Sequence, residues 1–171
     1  MRIYLVGYMY SGKSTVGRQL ARRLSLTAYD LDAMFEHHYH ITIPIFFQKY
    51  GQEAFRILER QMLQSTEQLT NAVISTGGGT PCFNDNMAWI NAHGVSVHLQ
   101  ADLGVILNRA ANSKKQRPLL AALDEEQRRD FIIAQLAERM PFYSQSHLTV
   151  DAASVDVNSL VSKILELTND K

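Results

Sequence analysis

The sequence predicts a three-layer α/β/α domain built on a five-stranded parallel sheet. Two features carry that expectation: short apolar runs alternate with amphipathic helical stretches, and glycine-rich turns follow two of those runs. Strands that read as near-continuous apolar runs are buried on both faces, and parallel strands need crossover helices to join them. At 171 residues the chain suits one domain with a full core, spanning 1–171 without repeat or linker.

Arg2–Val6 reads as the first buried strand, ended by Gly7. Val16, Leu20 and Leu24 then recur at helical spacing, with Arg18, Arg22 and Arg23 on the opposite face. Thr27–Leu31 is a second extended segment leading into Asp32. From Ala33 to Lys49 the pattern is helical but broken, with Pro44 in the first turn of a new helix and Gly51 as a stop or turn. Phe55, Leu58, Met62, Leu63 and Leu69 mark one stripe of a long helix. Ala72–Ser75 is a buried strand that ends in Thr76 and Gly77–Gly79. A helix over Asn84–Ala92, an alternating strand Val95–Leu99 and a helix over about Leu103–Ala111 follow. Residues 112–124 lack clean periodicity, carry Lys114, Lys115, Arg117 and Pro118, and read as a mobile loop. Glu125–Met140 is helical and should stop before Pro141. Leu148–Val150 is the last strand, and Leu160, Val161, Ile164, Leu165 and Leu167 line a terminal helix.

Seventeen basic residues balance 17 acidic ones, which argues against a dedicated nucleic-acid or membrane-surface binder. Any anion specificity must then come from local arrangement of charge. The single cysteine, Cys82, cannot form a disulfide within the chain and fits a reducing compartment. No apolar run approaches the ~18 residues of a membrane span, and the first strand runs into the glycine-rich turn with no room for a cleavable signal. The expected setting is the cytoplasm, with no nucleic-acid or membrane partner. A compact chain of this size can work as a monomer, the expected state.

Residues 7–14, Gly7-Tyr8-Met9-Tyr10-Ser11-Gly12-Lys13-Ser14, spell a P-loop between a strand and a helix. In that context backbone N–H groups wrap a phosphate and the helix points its positive end at it. Lys13 would reach the β- and γ-phosphates, and the Ser14 hydroxyl would ligate Mg²⁺. This combination points to an ATP-dependent kinase.

Asp30 and Asp32 close the second strand, where strand periodicity would put both carboxylates on one side, ~7 Å apart. One could act near Mg²⁺ while the other accepts a hydrogen bond from an acceptor hydroxyl. Either could instead cap the following helix. Arg56 and Glu59 are helical neighbours, so Glu59 can hold a guanidinium suited to bidentate capture of a carboxylate; the alternative is a surface ion pair. Gly77, Gly78 and Gly79 sit at a strand's carboxyl end, where open α/β sheets bind ligands. Arg117 lies in a basic segment that reads either as a solvated run or as a lid swinging over the transferring phosphoryl group. Arg139, at a helix end, could simply favour the helix C-terminus. His37, His38 and His40 lack the spacing of a zinc site, and Cys82 reads as a packing residue.

Taken in order, Gly7–Thr15, Asp30-Leu31-Asp32, Phe47…Gly51…Phe55-Arg56…Glu59, Thr76–Gly79, Arg117-Pro118-Leu119-Leu120 and Arg139…Tyr143 resemble the motif series of the shikimate kinase family along nearly the whole chain. The resemblance implies a P-loop kinase fold with a lid at about 112–124 and an acceptor-binding helical segment at about 32–60. It implies transfer of the γ-phosphoryl of ATP, with Mg²⁺, to the 3-hydroxyl of shikimate. By position, Lys13, Asp32 and Arg117 would be catalytic, and Asp32 would bond the acceptor hydroxyls. Gly7, Tyr10, Ser11, Gly12, Lys13, Ser14, Thr15, Arg109 and Arg117 would hold the nucleotide, with Arg109 against the adenine. A loop near Asp151–Val157 would cover the base from the other side. Arg56 and Arg139 would bind the shikimate carboxylate, Gly77, Gly78 and Gly79 would line its ring, and Phe47, Phe55 and Glu59 would brace the pocket. Ser14 and Asp30 would share the Mg²⁺ shell. Tyr10 stands where the family usually has glycine, which implies a stiffer loop. A gluconate kinase of the same fold would share Lys13 and Ser14 but not the set Asp32, Arg56, triple glycine and Arg139. A nucleotide-binding regulator would bind ATP and phosphorylate nothing.

Overall fold

The computed structural model describes residues 1–113 and 118–169. Within them five strands form one parallel sheet: β1 (Arg2–Val6), β2 (Thr27–Asp30), β3 (Ala72–Ser75), β4 (Val95–Gln100) and β5 (Leu148–Asp151), in the spatial order β2-β3-β1-β4-β5. Arg2 faces Ala72 across one seam and Ile3 faces Val95 across the other, so β1 is central. Ile3, Tyr4, Leu5 and Val6 are fully buried, as a strand covered on both faces demands. β1 and β4 reverse the sheet's order to either side of the phosphate loop, and ligands of open α/β sheets bind at such a switch.

Helix α1 (Lys13–Leu24) lies against β1 and β3 on Val16, Leu20 and Ala21. Gly17 permits that approach, because a methyl group there would stand 2.8 Å from Ser75 Oγ. The helices α2 (Leu31–Tyr39) and α3 (Ile43–Ser65) pack on each other through Phe35, Phe46 and Phe55, a small apolar cluster separate from the main core. Pro44 occupies the first turn of α3 as expected, and Gly51, at φ 81°, breaks that helix. Further elements are α4 (Asn86–His93), α5 (Leu103–Asn112), the short α6 (Pro118–Ala121), α7 (Glu125–Tyr143) and α8 (Val157–Asn169).

Several expected boundaries are corrected. The second strand stops at Asp30, whose carboxylate accepts from Ala33 N at 3.2 Å and so caps α2; Leu31 and Asp32 are helical, and the two aspartates do not share a strand face. The long helix ends at Ser65, and the chain reaches Leu69 through a 3₁₀ turn at Thr66–Gln68. Helix α4 begins at Asn86, two residues later than expected, because Asn84 and Asp85 both take positive φ. The segment read as a loop contains the helical turn α6, and α7 opens on a capping box between Asp124 and Gln127. Helix α7 also runs through Pro141 to Tyr143 rather than stopping before it. Arg117 and the rest of 114–117 lie outside the described residues.

Candidate active site

The phosphate loop leaves β1 at Gly7 and enters α1 at Lys13. Gly7 sits at φ 145°, Gly12 at φ 91° and Tyr10 at φ 65°, so the loop takes positive φ three times, once at a residue with a side chain. For Tyr10 that conformation carries a steric penalty a glycine would avoid. Lys13 is buried and donates from Nζ to the carbonyls of Gly7 (2.8 Å) and Tyr8 (2.9 Å), so its ammonium lies against the loop. Ser11 Oγ is buried with no hydrogen-bond partner among the described residues. Thr15 is exposed at the start of α1 and donates its N–H to Gly12 O at 3.1 Å.

Asp30 takes the capping role that sequence reasoning offered and also bonds Ser14. One carboxylate oxygen caps α2, and the other accepts from the Ser14 hydroxyl at 2.6 Å. A hydroxyl and a carboxylate brought together beside a phosphate loop fit a hard divalent cation, which prefers few protein oxygens supplemented by phosphate and water.

A second group of side chains converges on Gly77–Gly79. A methyl at Gly77 would lie 2.8 Å from Asp32 Oδ1, one at Gly78 would lie 3.1 Å from Arg139 Nη1, and one at Gly79 would lie 2.5 Å from Arg56 Nη2. The glycines therefore let one carboxylate and two guanidiniums reach the same stretch of backbone. Arg56 is held by Glu59, with Nη1 to Oε2 at 2.6 Å; both are largely buried, so the surface-pair alternative does not apply. The Arg56 guanidinium also rests over the Phe83 ring at 4.1 Å, and its buried Nε has no partner among the described residues. Phe47 and Phe55 pack ring to ring at 4.6 Å beside it. Arg139 lies over the Tyr8 ring at 5.5 Å, which brings this group of side chains onto the phosphate loop.

Sequence reasoning missed the residues that hold this pocket. Thr80 donates to the second Glu59 oxygen at 2.6 Å, the buried Asn86 donates to Thr80 O at 2.8 Å, and Arg60 donates to Asn86 Oδ1 at 2.8 Å and also to Asn84 O. Asn84 closes the ring by donating to Arg56 O at 3.3 Å. In sequence, Asn84-Asp85-Asn86 looks like any helix start, so no signal singled these out. Tyr143 donates to Gly78 O at 2.6 Å, and its ring lies 5.1 Å from that of His98. His98 is buried on β4 opposite Val6; burial, with Lys13 nearby, lowers its pKa to about 4, so it is neutral at working pH. Cys82 sits close to Arg139, Arg56 and Glu59, but burial pushes its thiol up to about 11, which suits the packing role expected of it.

Arg109, on α5, donates to Tyr10 O at 3.0 Å and to Ala152 O at 2.9 Å. Its guanidinium thus bridges the phosphate loop and the segment following β5.

A parallel sheet ordered β2-β3-β1-β4-β5, a phosphate loop after its central strand and a pocket with two arginines and an aspartate beside that loop define an ATP-dependent phosphotransferase of the P-loop class. The family model for shikimate kinase matches residues 9–169. A curated shikimate kinase of Phocaeicola vulgatus is 45% identical over 145 residues, covering 85% of this chain and 83% of that one. The crystal structure of shikimate kinase from Bacteroides thetaiotaomicron superposes with a TM-score of 0.91 at 39% identity, over 99% of this chain and 98% of that one. Shikimate kinase from Acinetobacter baumannii, solved in complex with shikimate, gives a TM-score of 0.83 at 32% identity over 99% of this chain and 93% of that one. The chain belongs to the shikimate kinase family.

Proposed function

We propose that this enzyme makes shikimate 3-phosphate by binding ATP on the loop Gly7–Thr15 and shikimate among Asp32, Arg56, Arg139 and Gly77–Gly79. The observation that carries the reading is the meeting of Asp32, the Glu59-braced Arg56 and Arg139 at three successive glycines. Two guanidiniums suit a carboxylate, and one aspartate suits a hydroxyl. The family membership supports shikimate as the acid that carries both.

Phosphoryl transfer needs positioning and charge neutralisation more than covalent catalysis. Asp32 accepts the hydrogen bond of the 3-hydroxyl and receives its proton, or passes it to water, as that oxygen bonds to the γ-phosphorus. The bond from γ-phosphorus to the bridging oxygen breaks, and ADP keeps that oxygen. Lys13 offsets charge on the β- and γ-oxygens, and Arg117, outside the described residues, is the further cation expected over them. Ser14 and Asp30 would hold Mg²⁺, which neutralises phosphate charge when bound. Phe47, Phe55 and Phe83 surround the Arg56 end with apolar rings, which strengthens its hold on a carboxylate by lowering the local dielectric. The reading takes the enzyme as a cytoplasmic monomer; among the described residues no helix is long and apolar enough to cross a membrane.

A coupled assay of ADP release with shikimate, gluconate and nucleoside monophosphates tests the acceptor. Turnover with shikimate alone is expected; none with shikimate, in folded protein that binds ATP, would overturn the reading.

A further inference from the structure

Tyr10 is the one position of the phosphate loop where an L side chain occupies positive φ. Such a residue persists when its surroundings over-determine it. The peptide joining Tyr10 to Ser11 is gripped at both ends. Its carbonyl accepts from Arg109 Nη1 at 3.0 Å, and its N–H donates to Tyr8 O at 3.2 Å. Because a peptide is planar, fixing both groups fixes the plane, and with it the direction from which Gly12 and Lys13 present their N–H groups. The anchor is itself rigid. Arg109 Nη2 donates to Ala152 O at 2.9 Å, while Ala152 N donates to Gln100 O at 2.8 Å, so the guanidinium hangs from the joined ends of β4 and β5. The same Nη1 would stand 3.4 Å from a methyl on Gly12, which puts the cation directly against the loop.

We propose that Arg109 is a positioning residue for the phosphate loop: it holds the Tyr10–Ser11 peptide in its left-handed turn and so pre-shapes the loop for polyphosphate, whatever contact its face makes with a base. The inference rests on the reading that this loop binds the phosphates of ATP. It differs from a role against adenine alone in one respect. A contact with the base matters only to ligands that have one, whereas a shaped loop matters to the bare phosphate chain.

The test is calorimetric titration of the full-length protein with magnesium tripolyphosphate, which has no base, alongside magnesium ATP. Arg109→Ala is expected to weaken tripolyphosphate about tenfold, the scale of one charge-assisted hydrogen bond. In a Tyr10→Gly background, where the turn carries no steric penalty, the same change is expected to cost less than about threefold. Arg109→Lys keeps the charge but cannot span both carbonyls, and is expected to fall between the unaltered protein and Arg109→Ala. It carries the test if Arg109→Ala does not fold. Unchanged tripolyphosphate binding in Arg109→Ala or Arg109→Lys, with magnesium ATP weakened, would assign the residue to the base alone and overturn the proposal. Equal losses with and without the Tyr10→Gly change would overturn the part assigned to Tyr10. If the unaltered protein binds shikimate but not tripolyphosphate, the phosphate-loop reading fails first and takes the inference with it.

Discussion

The Tyr143 hydroxyl donates to the carbonyl of Gly78 at 2.6 Å, across 65 positions of sequence. Tyr143 lies one turn beyond Arg139 on α7, so a single helical face delivers both the cation that reaches Gly78 and the clamp that holds Gly78 still. Burial raises the phenol's pKa, and the group stays a donor across the working range. Tyr143→Phe should raise KM for shikimate about threefold to tenfold, leave KM for ATP within about twofold, and cost about 1 kcal/mol of stability. Steady-state kinetics with each substrate varied in turn would check the asymmetry; equal rises in both would mean a general loss of structure.

Glu59 is 4% exposed and has one oxygen on Arg56 and the other on Thr80. Glu59→Ala would leave a largely buried guanidinium without its counter-charge and should destabilise the fold by about 3 kcal/mol. Glu59→Gln keeps the shape and one acceptor oxygen, so it should fold well and bind shikimate about tenfold more weakly. Urea unfolding and shikimate titration of the two variants distinguish bracing from bulk stability.

Gly79 has φ −87°, which any residue adopts, so only space opposes a side chain there. An alanine methyl would meet Arg56 Nη2 at 2.5 Å and push the guanidinium off its place. Gly79→Ala should therefore spoil shikimate affinity by tenfold or more, on the order of 1.4 kcal/mol, while ATP binding is untouched. Normal shikimate binding by this variant would show that Arg56 is not where the acceptor's carboxylate is read.

Asp32→Asn tests the proton's destination. The amide can still bond a hydroxyl but cannot take its proton, so kcat should fall by about two orders of magnitude with ATP binding nearly intact. A fall of less than about threefold would remove Asp32 from the chemical step.

His98 gives the fold a dependence on pH. Its folded pKa is lowered to about 4, first by burial and then by Lys13, while the unfolded chain protonates near 6.5. The unfolded state thus binds more protons between these values, and stability rises with pH through that window. The contribution is fully present above about 6.5 and is lost as pH falls through about 4, with a ceiling of about 3 kcal/mol. His98→Phe, which keeps a ring beside Tyr143, should flatten the stability curve between pH 4 and 6.5. Chemical denaturation at about pH 5 and about pH 7 would show it.

The sheet and the phosphate loop were legible because apolar runs such as Ile3–Val6 admit no exposed face. What was misjudged has physical causes. Local rules end a helix before Pro141, but Tyr143 is fully buried and bonded to Gly78, and that tertiary anchor draws α7 onward. The Asp30–Asp32 segment carries both strand and helix character, and the cap that Asp30 makes to Ala33 N marks where the strand stops and α2 begins. The ring of Thr80, Asn84, Asn86 and Arg60 was invisible, since hydrogen bonds between distant polar residues leave no period in a sequence. His98 likewise read as one position of an alternating strand, with nothing in the run to mark its nearness to Lys13.

β1 launches the phosphate loop, yet its two neighbours lie far downstream: Arg2 waits for Ala72 and Ile3 for Val95. During synthesis, the strand that carries the loop therefore emerges long before either of the strands that pair with it, with only α1 at hand to cover one face. Its uninterrupted Ile3–Val6 run is the stretch most in need of shielding while the ribosome finishes roughly the next hundred residues. The nucleotide site is in that sense laid down early and becomes usable late.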